Sequence, residues 1–271
     1  MHKTFTTEAH LTVYVELGSG RLITAAEAGD EAVVEITGPR ADEFHVELSG
    51  STLSVTSPRA RFFGIGESHD VRITVPDGTD LVSKTGSADT ETTGTLGMLK
   101  LRTGSGDIEV DKADGIVVIE SGSGDVRGHE FGAEVRIKSG SGDIDLGEVR
   151  GTTGISTGSG DVVIGRAHAA TVVKTGSGDL EVKRSEGDVT LTTASGDLTL
   201  GHVPSGKVIA KNVSGDVRVG IPAGTPVWTD ITSVSGSVAS NLTGGGKPAE
   251  GQPYVELRAT TVSGDVVLQQ I

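Results

Sequence analysis

The chain has 271 residues, among them 41 glycines and no cysteine, with 3% aromatics and a formal net charge of −14. So much glycine beside so few large side chains argues against an ordinary enzyme with a deep globular core, and points to a thin core of small branched residues. The acidic balance argues against nucleic acid and anionic membranes as partners, and the missing cysteines exclude disulfides, thiolate catalysis and sulfur metal sites.

From the N-terminus, Met1 to Leu11 holds no apolar run of signal-peptide length, and no segment reaches the roughly 18 apolar residues of a membrane helix. As written, the chain is therefore expected in the cytoplasm where it is made, with no direct insertion into a membrane. Residues 1–80 carry strand-like segments at 11–15, 32–36, 44–48, 52–56 and 71–75, bounded by Gly, Pro and Asp and irregularly spaced. Most of the aromatics (Phe5, Tyr14, Phe44, Phe62 and Phe63) fall there. This composition suits an N-terminal β cap that plugs one end of a repeat stack and shields its sheet edges. Residues 59–68 read as a surface loop.

Residues 81–271 are a repeat. Ser-Gly-Asp ends at Asp107, Asp125, Asp143, Asp161, Asp179 and Asp197 with an unbroken spacing of 18. Ser87-Ala88-Asp89 lies 18 residues earlier, and further copies follow at Asp216, Ser235-Gly236-Ser237 and Asp265 with spacings of 19, 21 and 28. The later copies therefore carry insertions, the largest being the Gly- and Pro-rich residues 244–253. One and three residues after each Asp stand apolar residues, such as Ile108 and Val110, Ile144 and Leu146, Val162 and Ile164, with Gly128 and Ser240 as small exceptions. The residue between is mostly polar, so this is a strand with one buried face. Eight and six residues before the Asp lies a second inward pair, for example Leu99 and Leu101 or Val117 and Ile119. Ten before it, Gly97, Gly115, Ala133, Gly151, Ala169, Gly187 and Gly206 mark the other bend.

A unit of two short strands and two tight corners buries almost nothing alone. Stacked, the same side chain in successive units lies about 4.8 Å from its neighbour and the core becomes continuous. The fold expected is all-β: a single-stranded parallel β-helix, or β-solenoid, of about ten 18-residue coils continuous with the cap. Right-handedness follows from the general preference of parallel crossovers.

The corners Thr103 to Ile108 and Thr157 to Val162, the Val75-Pro76 and Ile221-Pro222 pairs, and the closing run Thr261 to Val266 resemble the bacterial adhesin-like family of β-helical proteins over nearly the whole chain. The resemblance implies this fold and a cell-surface interaction role, with no family ligand or catalytic residue to carry over.

The candidate site is the acidic column Asp89, Asp107, Asp125, Asp143, Asp161, Asp179, Asp197, Asp216 and Asp265. As a turn ladder, each carboxylate would accept backbone N–H groups of its own corner. As a calcium site, Asp107, Asp125, Asp143, Asp161, Asp179 and Asp197 would supply oxygens. However, the repeats-in-toxin pattern has Gly-Gly-x-Gly-x-Asp every nine residues, and half of the needed ligands are missing here. Four residues before the Asp, Thr85, Thr103, Ser121, Ser139, Thr157, Thr175, Thr193, Ser233 and Thr261, with Asn212 in register, form a hydroxyl column. It reads as an internal or corner ladder whose hydroxyls bond the backbone of adjacent coils. The histidines occupy no common position in the coil, and the single Trp228 reads as packing.

No acid and base pair stands out for a polysaccharide-acting β-helix enzyme, and no cofactor is implied. The expected function is a non-enzymatic, adhesin-like scaffold with a protein or glycan partner. The alternatives are a bactofilin-like filament of coils stacked end to end, a calcium-binding solenoid and a polysaccharide-acting β-helix enzyme.

Overall fold

The structure, a computed structural model, describes residues 1–7, 10–58, 67–243, 246 and 248–271. The loop expected at 59–68, with Phe62 and Phe63, lies almost wholly outside the described residues, as does part of the 244–253 insertion. Among the described residues, regular structure is all β apart from one 3-10 turn at Ala41–Glu43. The chain forms two compact units, Met1–Lys138 and Ser139–Ile271.

In the first unit, strands alternate between two sheets as the apolar-polar alternation requires. Leu99–Thr103 pairs in parallel with Val117–Ser121, bringing Leu99 beside Val117 and Leu101 beside Ile119. Ile108–Ala113 pairs in parallel with Val126–Phe131 in the other sheet, bringing Ile108 beside Val126. Residues 18 apart thus lie over one another, and all six of these side chains are buried.

The stacking extends into the N-terminal segment in a different chain order. Thr12–Leu17 and Ser19–Glu27 pair in parallel with Asp80–Thr85 and Asp89–Leu96. On their far sides they pair with Thr52–Thr56 and Ser68–Pro76. The outermost strands pair antiparallel: Glu31–Thr37 and then His2–Thr6 extend one sheet, and His45–Ser49 ends the other. Their apolar face is covered from within, with Val34, Ile36, Phe44 and Val46 buried while His2, Glu35, His45 and Glu47 face solvent.

Phe131 is the bulkiest fully buried side chain, and its place is made by a glycine. A Cβ on Gly128 would stand 2.2 Å from the Phe131 ring. The gap that Gly128 leaves in the apolar column is therefore filled from three residues further along the same strand.

In the second unit every strand pairing is parallel. One sheet runs Ile144–Val149, Val162–Ala167, Leu180–Ser185, Leu198–Leu200, Val217–Ile221, Val266–Gln270, Val238–Ser240. The other runs Thr153–Ser159, Thr171–Ser177, Val189–Thr192, Gly206–Lys211, Val255–Ser263, Val227–Ser235. The final pair of strands in the sequence is thus slotted inside the pair that precedes it. Side-chain chemistry explains the exchange. The inner row Val255, Leu257, Ala259, Val266 and Leu268 is apolar and buried, whereas its neighbours in register, Val227, Thr229, Ile231, Val238 and Ser240, include two hydroxyls and stay at least partly exposed. The more apolar coil takes the interior place.

Candidate functional site

At each Ser-Gly-Asp corner the backbone turns too sharply for every N–H to meet a carbonyl in the next coil. The aspartates supply the missing acceptors. In the first unit, Asp107 N–H donates to Asp89 Oδ1 at 3.1 Å and Asp125 N–H to Asp107 Oδ1 at 2.9 Å. In the second, Asp161 donates to Asp143, Asp179 to Asp161, Asp197 to Asp179 and Asp216 to Asp197, all at 2.7–2.9 Å. The ladder continues in the exchanged order of the coils: Asp265 N–H donates to Asp216 at 2.9 Å, and Ser237 N–H to Asp265 at 2.7 Å. The acceptor is therefore one coil away from its donor, where the sequence reading had each carboxylate capping its own corner.

The glycine before each Asp makes this closeness possible. Gly160, Gly178, Gly196, Gly215 and Gly264 have φ between 114° and 147°, and a Cβ on any of them would lie 2.0–2.3 Å from a carbonyl oxygen in the adjacent coil. Charge in the column is offset locally. Arg127 reaches Asp125 at 3.0 Å, and Arg218 bridges Asp197 and Asp216 at 2.8 and 2.7 Å. The N–H of Asp216, opposed by burial and helped by Arg218, holds the Asp197 carboxyl below its ordinary value. The N–H of Ser237 does the same for Asp265.

Among the described residues no three His, Asp or Glu side chains converge as metal ligands. In the hydrogen-bonded rungs, one oxygen of each ladder Asp accepts an N–H from the neighbouring coil.

The hydroxyl column lies inside. Thr103, Ser121, Thr157, Thr175, Thr193 and Thr261 are buried. Most of its bonds stay within one corner: Thr157, Thr175 and Thr193 donate to the carbonyls of Ser159, Ser177 and Ser195 at 2.8–3.1 Å, and Thr103 accepts from Gly106 N–H at 2.9 Å. Two histidines depart from the expected scatter over the surface. His69 is buried, its Nε2 lying 2.7 Å from the Pro39 carbonyl and its ring edge-on to Phe44. His168 is clasped between Glu148 at 2.7 Å and Glu186 at 2.8 Å, and this contact lowers the Glu186 pKa.

One surface was not anticipated. Trp228, read as packing, is 50% exposed, and Tyr254 is 46% exposed. Among the described residues no other aromatic side chain is exposed. The two line a groove of about 640 Å³ with Pro226, Pro248 and Arg258, and the Arg258 guanidinium sits 5.7 Å from the centre of the Trp228 ring. Glu256 holds Arg258 at 3.1 Å. A second groove of about 510 Å³ shares Tyr254, Pro248 and Glu256 and runs to Lys207 and Gln252. The signal available in the sequence was the placement of Trp228 at an outward position of its strand.

These features define an acidic, all-β repeat protein whose corner carboxylates serve its own backbone and whose exposed aromatics gather at one place. The chain belongs to the Toastrack DUF4097 family, whose model matches residues 17–202 and 135–269. No curated protein matches it. Among solved structures it is similar to a "putative adhesin" from Bacteroides fragilis (13% identity, TM-score 0.35, covering 99% of this chain and 96% of that one). It is also similar to one of the same description from Parabacteroides merdae (12%, 0.37, 99% and 95%) and to a "putative lipid binding protein" from Parabacteroides distasonis (12%, 0.38, 100% and 96%). No helix among the described residues is long and apolar enough to cross a membrane.

Proposed function

We propose that the protein is a non-enzymatic, adhesin-like interaction scaffold: a right-handed solenoid of about ten coils, capped by residues 1–80, that binds a protein or glycan in the grooves flanking Tyr254. The observation that carries this reading is the exposure of Trp228 and Tyr254 around a groove that also offers a cation, Arg258, and a carboxylate, Glu256. Flat aromatic faces beside fixed polar groups suit sugar rings and peptide side chains alike. The aspartate column plays a structural part in this reading and takes no metal.

Trp228 is the only tryptophan, so intrinsic emission reports on the surroundings of this residue. Titration with a panel of bacterial and host oligosaccharides, and with proteins captured from the native cell, should shift that emission for the true partner. Tyr254→Ala and Arg258→Ala should each abolish the shift without changing the melting temperature. Binding that survives both substitutions would remove the grooves from the mechanism. The cytoplasm, suggested by the sequence as written, and the cell surface, suggested by the family resemblance, expose the groove to different partners, and fractionation of the native cell decides between them.

A further inference from the structure

The second unit ends on an edge that the described residues leave open. Among the described residues, strand Val227–Ser235 is hydrogen-bonded on one side only, to Val255–Ser263, so every second residue of the nine presents unpaired N–H and C=O groups on the other. Beside it, Val238 is 53% exposed although it lies in register with Val266, which is fully buried. The outside is apolar there as well. Three residues before the Asp position the corner carries Gly104, Gly122, Gly158 and Gly176, but towards this edge it carries Val213, Val262 and Val234, which are 53%, 46% and 75% exposed.

We propose that two copies of this chain join at this edge, Val227–Ser235 pairing antiparallel with itself about a twofold axis at Ile231. The pattern of residues about Ile231 supports a second copy as the occupant. Trp228 and Val234, the two large exposed apolar side chains of the strand, stand three residues to either side of Ile231. In this register Trp228 faces Val234 of the other copy, Thr229 faces Ser233, and Asp230 faces Thr232. No like charges meet. Pairing about one twofold axis also brings the open ends of the two cores together, covering Val227, Ile231 and Val238.

A strand of nine residues spans about 30 Å, and two sheets about 10 Å apart with their side chains give a face of about 600 Å² per copy. The total, about 1,200 Å², is at the lower limit of stable interfaces, where association is commonly transient. The contact is isologous and closes on itself. The proposal thus sets a closed dimer against the filament, one of the expected alternatives.

The test is sedimentation equilibrium of the full chain from about 1 to about 200 µM. A monomer–dimer equilibrium is expected; a strict monomer, or growth beyond a dimer, overturns the proposal. The register is tested at exposed Thr232, where Thr232→Asp would set two Asp–Asp pairs across the axis and Thr232→Lys two Lys–Asp pairs. Dimerisation should weaken with the first and strengthen with the second by roughly 2- to 30-fold each. Thr192→Asp and Thr192→Lys make the same charge changes three strands further in. If these shift dimerisation as much as the Thr232 pair does, general charge is the cause and the register is wrong. The grooves are tested separately, because Tyr254→Ala should leave dimerisation unchanged.

Discussion

Replacing Gly178 with alanine isolates the contact on which the stacking of corners depends. Gly178 has φ 131°, and an added Cβ would stand 2.3 Å from the Gly160 carbonyl oxygen. Holding an L-residue in this backbone region costs about 1–2 kcal/mol. Relieving the clash requires the two corners to separate by about 1 Å, because a carbon and an oxygen do not approach much closer than 3.2 Å. Separation stretches Gly160 N–H···O Ser177, now 3.1 Å, and Asp179 N–H···Oδ1 Asp161, now 2.8 Å. Weakening these bonds costs roughly 0.5–1.5 kcal/mol each, and with the backbone cost the total is roughly 2–5 kcal/mol. Gly154→Ala is the control, since φ there is ordinary and nothing lies within 4 Å of the added methyl. That change should be neutral or stabilising by up to about 1 kcal/mol. Urea unfolding followed by circular dichroism should lower the midpoint for Gly178→Ala only, with the slope unchanged. Equal midpoints for the two variants would show that the corners do not pack as described.

The remaining predictions use the same core and ladder. Phe131→Ala should cost about 3–5 kcal/mol, and Gly128→Val should also destabilise by overpacking against the ring, yet the double variant should be more stable than Phe131→Ala alone; additive losses in a double-mutant cycle would contradict the shared space. Asp197→Asn keeps an oxygen for the Asp216 N–H and loses the charge facing Arg218, which should cost at most about 1 kcal/mol, whereas Asp197→Ala removes both and should cost about 1–2 kcal/mol more; identical melting curves for the two would refute the ladder's acceptor role. Because the folded carboxyls of Asp197 and Asp265 lie below the ordinary 3.8, their stabilisation is complete above that value and is lost as pH falls through the lowered folded value. Acid unfolding should accordingly be steeper for the native chain than for Asp197→Asn, and matching pH profiles would show that this carboxylate does not contribute.

The 18-residue repeat was legible because every coil needs apolar residues at the same inward positions and glycine at the same corner. Columns built from Val, Ile and Leu announce themselves by alternation. A further buried column six residues after the Asp was not seen: Ala113, Phe131, Val149, Ala167, Ser185 and Val203. Its members range from alanine to phenylalanine and include a serine, so only their burial unites them, and burial depends on what stands opposite. The direction of the ladder bonds was equally hidden. Donor and acceptor belong to the same column, so spacing cannot tell a bond within a corner from one between neighbouring coils. The exchange of the last two coils left only a trace, the spacings of 21 and 28, which any insertion would give. The hydroxyls at Thr229, Ser233 and Ser240 were the clue that the coil of residues 227–240 is the poorer interior member.

The positions that break the repeat fall into two kinds, and physical chemistry separates them. Gly128 breaks the apolar column, but Phe131 fills the space and the departure is explained by packing. Val213, Val262, Val234 and Trp228 break their columns in the opposite sense, placing apolar groups where other coils have glycine or polar residues, and all four remain exposed. Each leaves apolar surface in water and contributes nothing to the core. The fold accounts for the first kind without invoking a partner. Exposed departures that cluster on adjacent strands at one open edge have no such account within a single chain, and covering them by contact with another molecule supplies the one that is missing.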